Sequence, residues 1–161
     1  LPEKLRLRAA DPEDLAVIAA CLQDARISLK EMVYLPTERR FAAMFARYRR
    51  EHQLDPLSCE GLTECQSALV FEEIDAVKHR RLGVGGPDQE LVLLTIATEP
   101  GRDKLIHIDL VFQGDAVIQL RTDRIACRLE DVGAPVPSRI TPCDHFAQEF
   151  WEQVDAAATR S

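Results

Sequence analysis

The chain has 161 residues, enough to bury a core in one domain without help from disulfides or metal. Hydrophobic residues make up 46% and charged residues 29%, the balance of an ordinary globular protein rather than a disordered one. A formal charge of -7 and an isoelectric point near 5.1 argue against sequence-independent binding to nucleic acid or an anionic membrane, and every apolar run is too short for a spanning helix.

Leu5 and Leu7 alternate with Lys4, Arg6 and Arg8, which predicts a short first strand. Asp11 then caps a helix. Pro12 follows where no N–H is needed, Glu13 and Asp14 meet the positive end of the dipole, and Leu15, Ile18, Ala19 and Leu22 form its buried stripe. Residues 26–35 and 40–49 read as a hairpin turned at Pro36-Thr37-Glu38, with Ile27, Leu29, Val33 and Leu35 on one face. Residues 52–66 are the least patterned and read as a loop. Residues 67–82 read as a strand bent near Glu72-Glu73, followed by a turn at 83–88.

Residues 90–98 (ELVLLTIAT) are apolar on both parities, as a central strand covered on both faces would be. The plainest pattern is IHIDLVFQGDAVIQLR over 106–121, an antiparallel hairpin: Ile106, Ile108, Leu110 and Phe112 alternate with His107, Asp109, Val111 and Gln113, and Gly114-Asp115 makes the turn. Beyond it, Thr122 or Asp123 can cap a late helix carrying Ile125, Ala126, Leu129 and Val132, ended by Gly133. Residues 134–143 hold three of the nine prolines and predict a linker or strap. Residues 144–157 predict an amphipathic tail helix.

The expected organisation is therefore one α+β domain over 1–133, a proline-rich linker and a tail helix. Its core is a mainly antiparallel, strongly bent sheet or partial barrel with an early and a late helix. The five cysteines are odd in number and scattered, a poor disulfide framework, and the start carries no apolar signal core; both predict a cytoplasmic protein. Cys21 and Cys127 fall on apolar helix positions and read as core.

Three groups of residues could carry function. Phe146, Phe150 and Trp151 place three of the nine aromatic residues on one stripe of the tail helix. Such a stripe anchors a protein partner or a second copy, or folds back to close an open sheet face. Arg39, Arg40, Arg47 and Arg49 form one basic cluster with Arg50 and His52; Arg80 and Arg81 form a second with Lys78 and His79. These are candidate anion-binding residues for a phosphate or an acidic partner, or else solvated strand ends that block edge pairing. No glycine-rich phosphate cradle accompanies them.

No cofactor or metal is expected: Cys143-x-His145 is the one closely spaced ligand pair, with His52, Cys59 and Cys65 scattered elsewhere. Glu72 and Glu73 are adjacent, so on a strand they cannot share a proton, whereas His107 and Asp109 share the outer face of their hairpin. A non-enzymatic binding or adaptor module is the first reading. A small enzyme with acid–base groups on loops, or recognition of phosphate or nucleic acid by the basic clusters, is the alternative.

The succession DPEDLAVIAACLQDARISLKEMVYLPTERRFA, SALVFEEIDAVKHRRL and RTDRIACRLEDVGAP resembles a small family of bacterial proteins of unknown function, chiefly alphaproteobacterial, over residues 5–135. That resemblance implies a compact bacterial cytoplasmic domain and brings no active site with it. The strand-rich order with a late helix is also similar to a pleckstrin-homology-type barrel, from which the early helix at 12–24 departs.

Overall fold

A computed structural model of the chain describes residues 4–52 and 61–138. Asp11 caps helix α1 (Pro12–Cys21) as expected, its Oδ1 accepting from the Asp14 N–H at 2.8 Å. Leu15, Ile18, Ala19 and the following Leu22 are buried, and α1 lies against β1 (Arg6–Ala9) and β7 (Glu90–Pro100).

The remaining strands are β2 (Arg26–Ser28), β3 (Met32–Leu35), β4 (Arg40–Tyr48), β5 (Thr63–Phe71), β6 (Ile74–Arg80), β8 (Ile106–Phe112), β9 (Val117–Thr122), β10 (Cys127–Asp131) and β11 (Val136–Pro137). They form one antiparallel sheet of eleven strands in the order β1-β10-β5-β4-β2-β7-β8-β9-β6, with β3 added to β4 and β11 to β5. The sheet curves round a single core: Leu129 of β10, Phe45 of β4, Leu93 of β7, Ile108 of β8 and Leu120 of β9 belong to one buried cluster with the α1 stripe.

The fold is therefore not the α+β arrangement expected. Among the described residues α1 is the one α-helix, and the sheet dominates. The predicted late helix is strand β10, paired with β1 on one side and β5 on the other. Two flanking ladders satisfy all its backbone groups, and that outweighs a local spacing suited to a helix. The likeness to a pleckstrin-homology-type barrel depended on that late helix and goes with it. The predicted tail helix lies outside the described residues. Cys127 is buried on a strand rather than a helix, and Cys21 is half-buried.

Three local readings also change. A 3-10 turn at Leu29–Glu31 breaks the first arm of the 26–49 hairpin, so Met32 and Tyr34 turn inward while Val33 is 46% exposed. Strand β5 begins at Thr63, inside the expected loop. β7 is covered on one face only: a bulge between Leu93 and Thr95 pushes Leu94 outward (43% exposed), so the inward row passes from Leu91 and Leu93 to Ile96. One inserted residue switches parity and makes a one-sided strand look apolar throughout. The bend near Glu72-Glu73 is a corner between β5 and β6, with Glu73 at φ +62. The 106–121 hairpin stands as read, turned by Gly114 (φ +78) and Asp115 (φ +63).

Arg47 follows Phe41, Ala43 and Phe45 in the inward row of β4 and is 0% exposed. Its Nε and Nη2 donate to Asp131 Oδ1 and Oδ2 of β10 at 2.8 and 2.7 Å, and its Nη1 and Nη2 reach Glu51 at 3.1 and 2.8 Å. Asp131 also accepts from Ser67 Oγ at 2.6 Å and the Leu5 N–H at 3.0 Å. A second buried pair, Arg26 with Glu64, joins β2 to β5 on the opposite face.

Removing one partner leaves the other charge buried and uncompensated. Asp131→Asn or Arg47→Met should each lower unfolding stability by about 3–5 kcal/mol in urea titrations, and the double variant by less than the sum. Burial alone would raise the Asp131 and Glu51 carboxyls. The hydrogen bonds from Arg47, joined at Asp131 by Ser67 and Leu5, outweigh it and hold both below their ordinary values of 3.8 and 4.5. A depressed folded pKa contributes stability that is whole above the unfolded value and is lost as pH falls through the folded one. The wild type should therefore lose stability progressively below about pH 4.5, and Asp131→Asn should flatten that acid limb in the same titrations.

Candidate functional site

The arginines of the first basic cluster have partners within the protein. Arg39 pairs with Glu73 at 3.1 Å, and Arg40 with Glu72 at 2.8 Å and Glu38 at 3.3 Å. Arg47 is locked on Asp131, and the buried Arg49 donates to Thr63 Oγ1 at 3.1 Å. Of these four anion-binding candidates, Arg39, Arg40 and Arg47 are thus paired with carboxylates and Arg49 with a hydroxyl.

The second cluster differs. Lys78, His79 and Arg80 end β6, the last strand of the sheet, and Arg81 follows with φ +56; all four are exposed. None makes an ion pair or side-chain hydrogen bond among the described residues. Cross-strand neighbours share a face, so the register Lys78–Gln119–Asp109 sets a polar row across β6, β9 and β8, and Arg80 stands beside Val117. Gln119 Nε2 donates to Asp109 Oδ1 at 3.0 Å and reaches Glu99 Oε1 at 3.5 Å.

A hollow of about 280 Å³ lies over this row, lined by Lys78, His79, Arg80, Glu99, Asp109, Val117 and Gln119. Cations stand along one side and carboxylates along the other, with an amide between them. His107 and Asp109 do share this outer face, where His107 stands opposite Glu99 and Arg121.

Glu99 and Gln119 were missed in the sequence. A two-residue turn at Gly114-Asp115 would set Asp109 opposite Leu120; the three-residue turn Gln113–Asp115 sets it opposite Gln119. Glu99 follows only once the bulged β7 is aligned. Phe146, Phe150 and Trp151 lie outside the described residues, as do Cys59, Cys143 and His145. Among the described residues, His, Cys, Asp and Glu form no group suited to a metal ion, and no helix is long and apolar enough to cross a membrane.

A family profile described as "protein of unknown function (DUF2948)" matches residues 5–144. The chain belongs to the DUF2948 family. No curated protein and no solved structure matches it. The DUF2948 match includes the whole basic run and the hollow, and it stops before Phe146.

Reversing the basic run should leave the fold intact, because nothing in the domain leans on it. The triple variant Lys78→Glu/Arg80→Glu/Arg81→Glu should unfold in urea within about 0.5 kcal/mol of the wild type.

Proposed function

We propose that this DUF2948 protein is a non-enzymatic cytoplasmic binding module that docks an acidic segment of a protein partner on the β6 run and its adjoining hollow. The observation that carries this reading is the uncompensated stretch Lys78–Arg81 in a chain of net charge -7. Neighbouring like charges repel one another, and carboxylates on a partner relieve that repulsion. The Gln119 amide and the Glu99 and Asp109 carboxylates supply acceptors and donors for a peptide backbone. A phosphodiester chain carries a charge on every residue and sets some of them against Glu99 and Asp109, whereas a peptide with carboxylates on alternate residues can place them on the cations and its neutral positions beside Glu99 and Asp109, which favours protein over nucleic acid. Arg47, Glu51 and Asp131 hold one another in their charged forms within one ion network and are not free for acid–base work.

In this reading Phe146, Phe150 and Trp151 are a second, apolar set of partner or self-association contacts, supported by their sequence spacing. A cytoplasmic, bacterial setting is part of the proposal, supported by the scattered cysteines and the family resemblance; Cys21, Cys65 and Cys127 are free thiols.

Fluorescence anisotropy with a labelled peptide of alternating Glu and Val tests the reading. The wild type should bind it, binding should weaken as salt rises, and the Lys78/Arg80/Arg81 charge reversal should abolish it. Equal binding by the reversed variant, or tighter binding of a labelled single-stranded DNA than of the peptide, overturns it.

A further inference from the structure

A recess of about 310 Å³ opens at the other end of the sheet, between β1, β10 and the first turn of α1. Ala9 ends β1 and Cys127 begins β10, and with Ile125 they line the recess at these strand ends with buried apolar residues; burial pushes the Cys127 thiol up to about 12, so the sulfur stays a neutral hydrophobe. The rim of the recess is cationic, with Arg8, Arg124 and Arg128 converging on it.

The β1–β10 register sets Arg8 directly opposite Arg128. Like charges in that position destabilise a sheet, so the pair needs an anion between or beside it. The carboxylates at hand are largely spent. Glu72 accepts from Arg40 at 2.8 Å and from Arg128 at 3.3 Å, while Arg124 has a 3.8 Å contact with Glu73. Arg8 makes no ion pair among the described residues. With the partners these carboxylates share, Arg8, Arg39, Arg40, Arg124 and Arg128 stand among Asp14, Glu38, Glu72 and Glu73, a surplus of one positive charge suited to one negative charge.

The wall is held in place before any ligand arrives. Thr122 Oγ1 has the Glu73 and Arg124 carbonyls at 2.8 and 2.7 Å as acceptors for its single proton and accepts from the Arg124 N–H at 3.2 Å, and the Glu72 N–H donates to the Ala126 carbonyl at 2.8 Å.

We infer that this recess binds a small organic monoanion, a carboxylate on a short apolar body. The carboxylate lies across Arg8 and Arg128, where a guanidinium fork grips both oxygens, and the body covers Ala9, Ile125 and Cys127. The volume stands at the lower end of small-molecule pockets and admits one or two rings or a short chain. This inference is independent of the β6 docking surface.

Isothermal titration calorimetry with 2-naphthoate, its neutral amide and inorganic phosphate tests it. Naphthoate should bind the full chain, and the amide and phosphate should each bind at least about tenfold more weakly. Arg8→Gln removes an exposed side chain that makes no ion pair among the described residues, so it should keep the fold and weaken naphthoate binding by about tenfold. Ala10→Leu, which fills the recess without touching charge, should weaken it as well. The Lys78/Arg80/Arg81 charge reversal should leave it unchanged. Equal binding of the amide, equal binding of phosphate alone, or an unaltered Arg8→Gln variant overturns the inference.

Discussion

The buried Arg47–Asp131 pair links parts of the chain that have little else in common. Its two residues are 84 positions apart and belong to β4 and β10, and Asp131 also holds Ser67 of β5 and the backbone of Leu5 just before β1. Four segments therefore meet on one carboxylate. In low dielectric a charge of either sign must find its complement, so the pairing admits one register for β10 against β5 and one path for the entering chain. The recess between β1 and β10 inherits its geometry from that register: a one-residue slip would turn Arg128 inward and Leu129 outward.

The same pair explains where sequence reading failed. Residues 125, 127, 129 and 131 are the inward row of the β10 segment, but Asp131 breaks the apolar alternation, and Ile125, Ala126, Leu129 and Val132 then fit a helix better. Arg47 hides β4 in the same way. An inward arginine after Phe41, Ala43 and Phe45 reads as part of a surface cluster with Arg49 and Arg50. Each charge looks misplaced alone, and only the contact between them makes both legible. Sequence periodicity counts polarity one residue at a time and has no means of pairing positions so far apart.

Elsewhere local chemistry was enough. The Asp11 cap, the α1 stripe, the Pro36–Glu38 turn and the 106–121 hairpin each depend on residues within a few positions of one another, and each stands in the structure. The inserted Leu94 and the 3-10 turn at Leu29–Glu31 are also local, yet both shift parity by one without a glycine or proline to announce them. A bulge in an apolar strand therefore imitates burial on both faces.

The basic residues divide by position in the strand order rather than by clustering in sequence. Arg40, Arg47 and the end of β4 lie inside the sheet, where the surrounding elements offer a carboxylate or hydroxyl: Glu72 from the β5–β6 corner, Asp131 from β10 beyond β5, Thr63 from β5. The terminal strands β1 and β6 have a ladder on one side only, so their cations meet half as many neighbours. Among the described residues Arg8 and the Lys78–Arg81 run have no ion pair there, although a run of arginines at 39–40 and one at 80–81 look alike in sequence. A charge at a sheet terminus can be kept for solubility alone. At β1, however, it stands directly opposite another cation above an apolar recess, and solubility would be served better by spacing the two apart. That juxtaposition makes the recess a ligand site rather than a solvated edge.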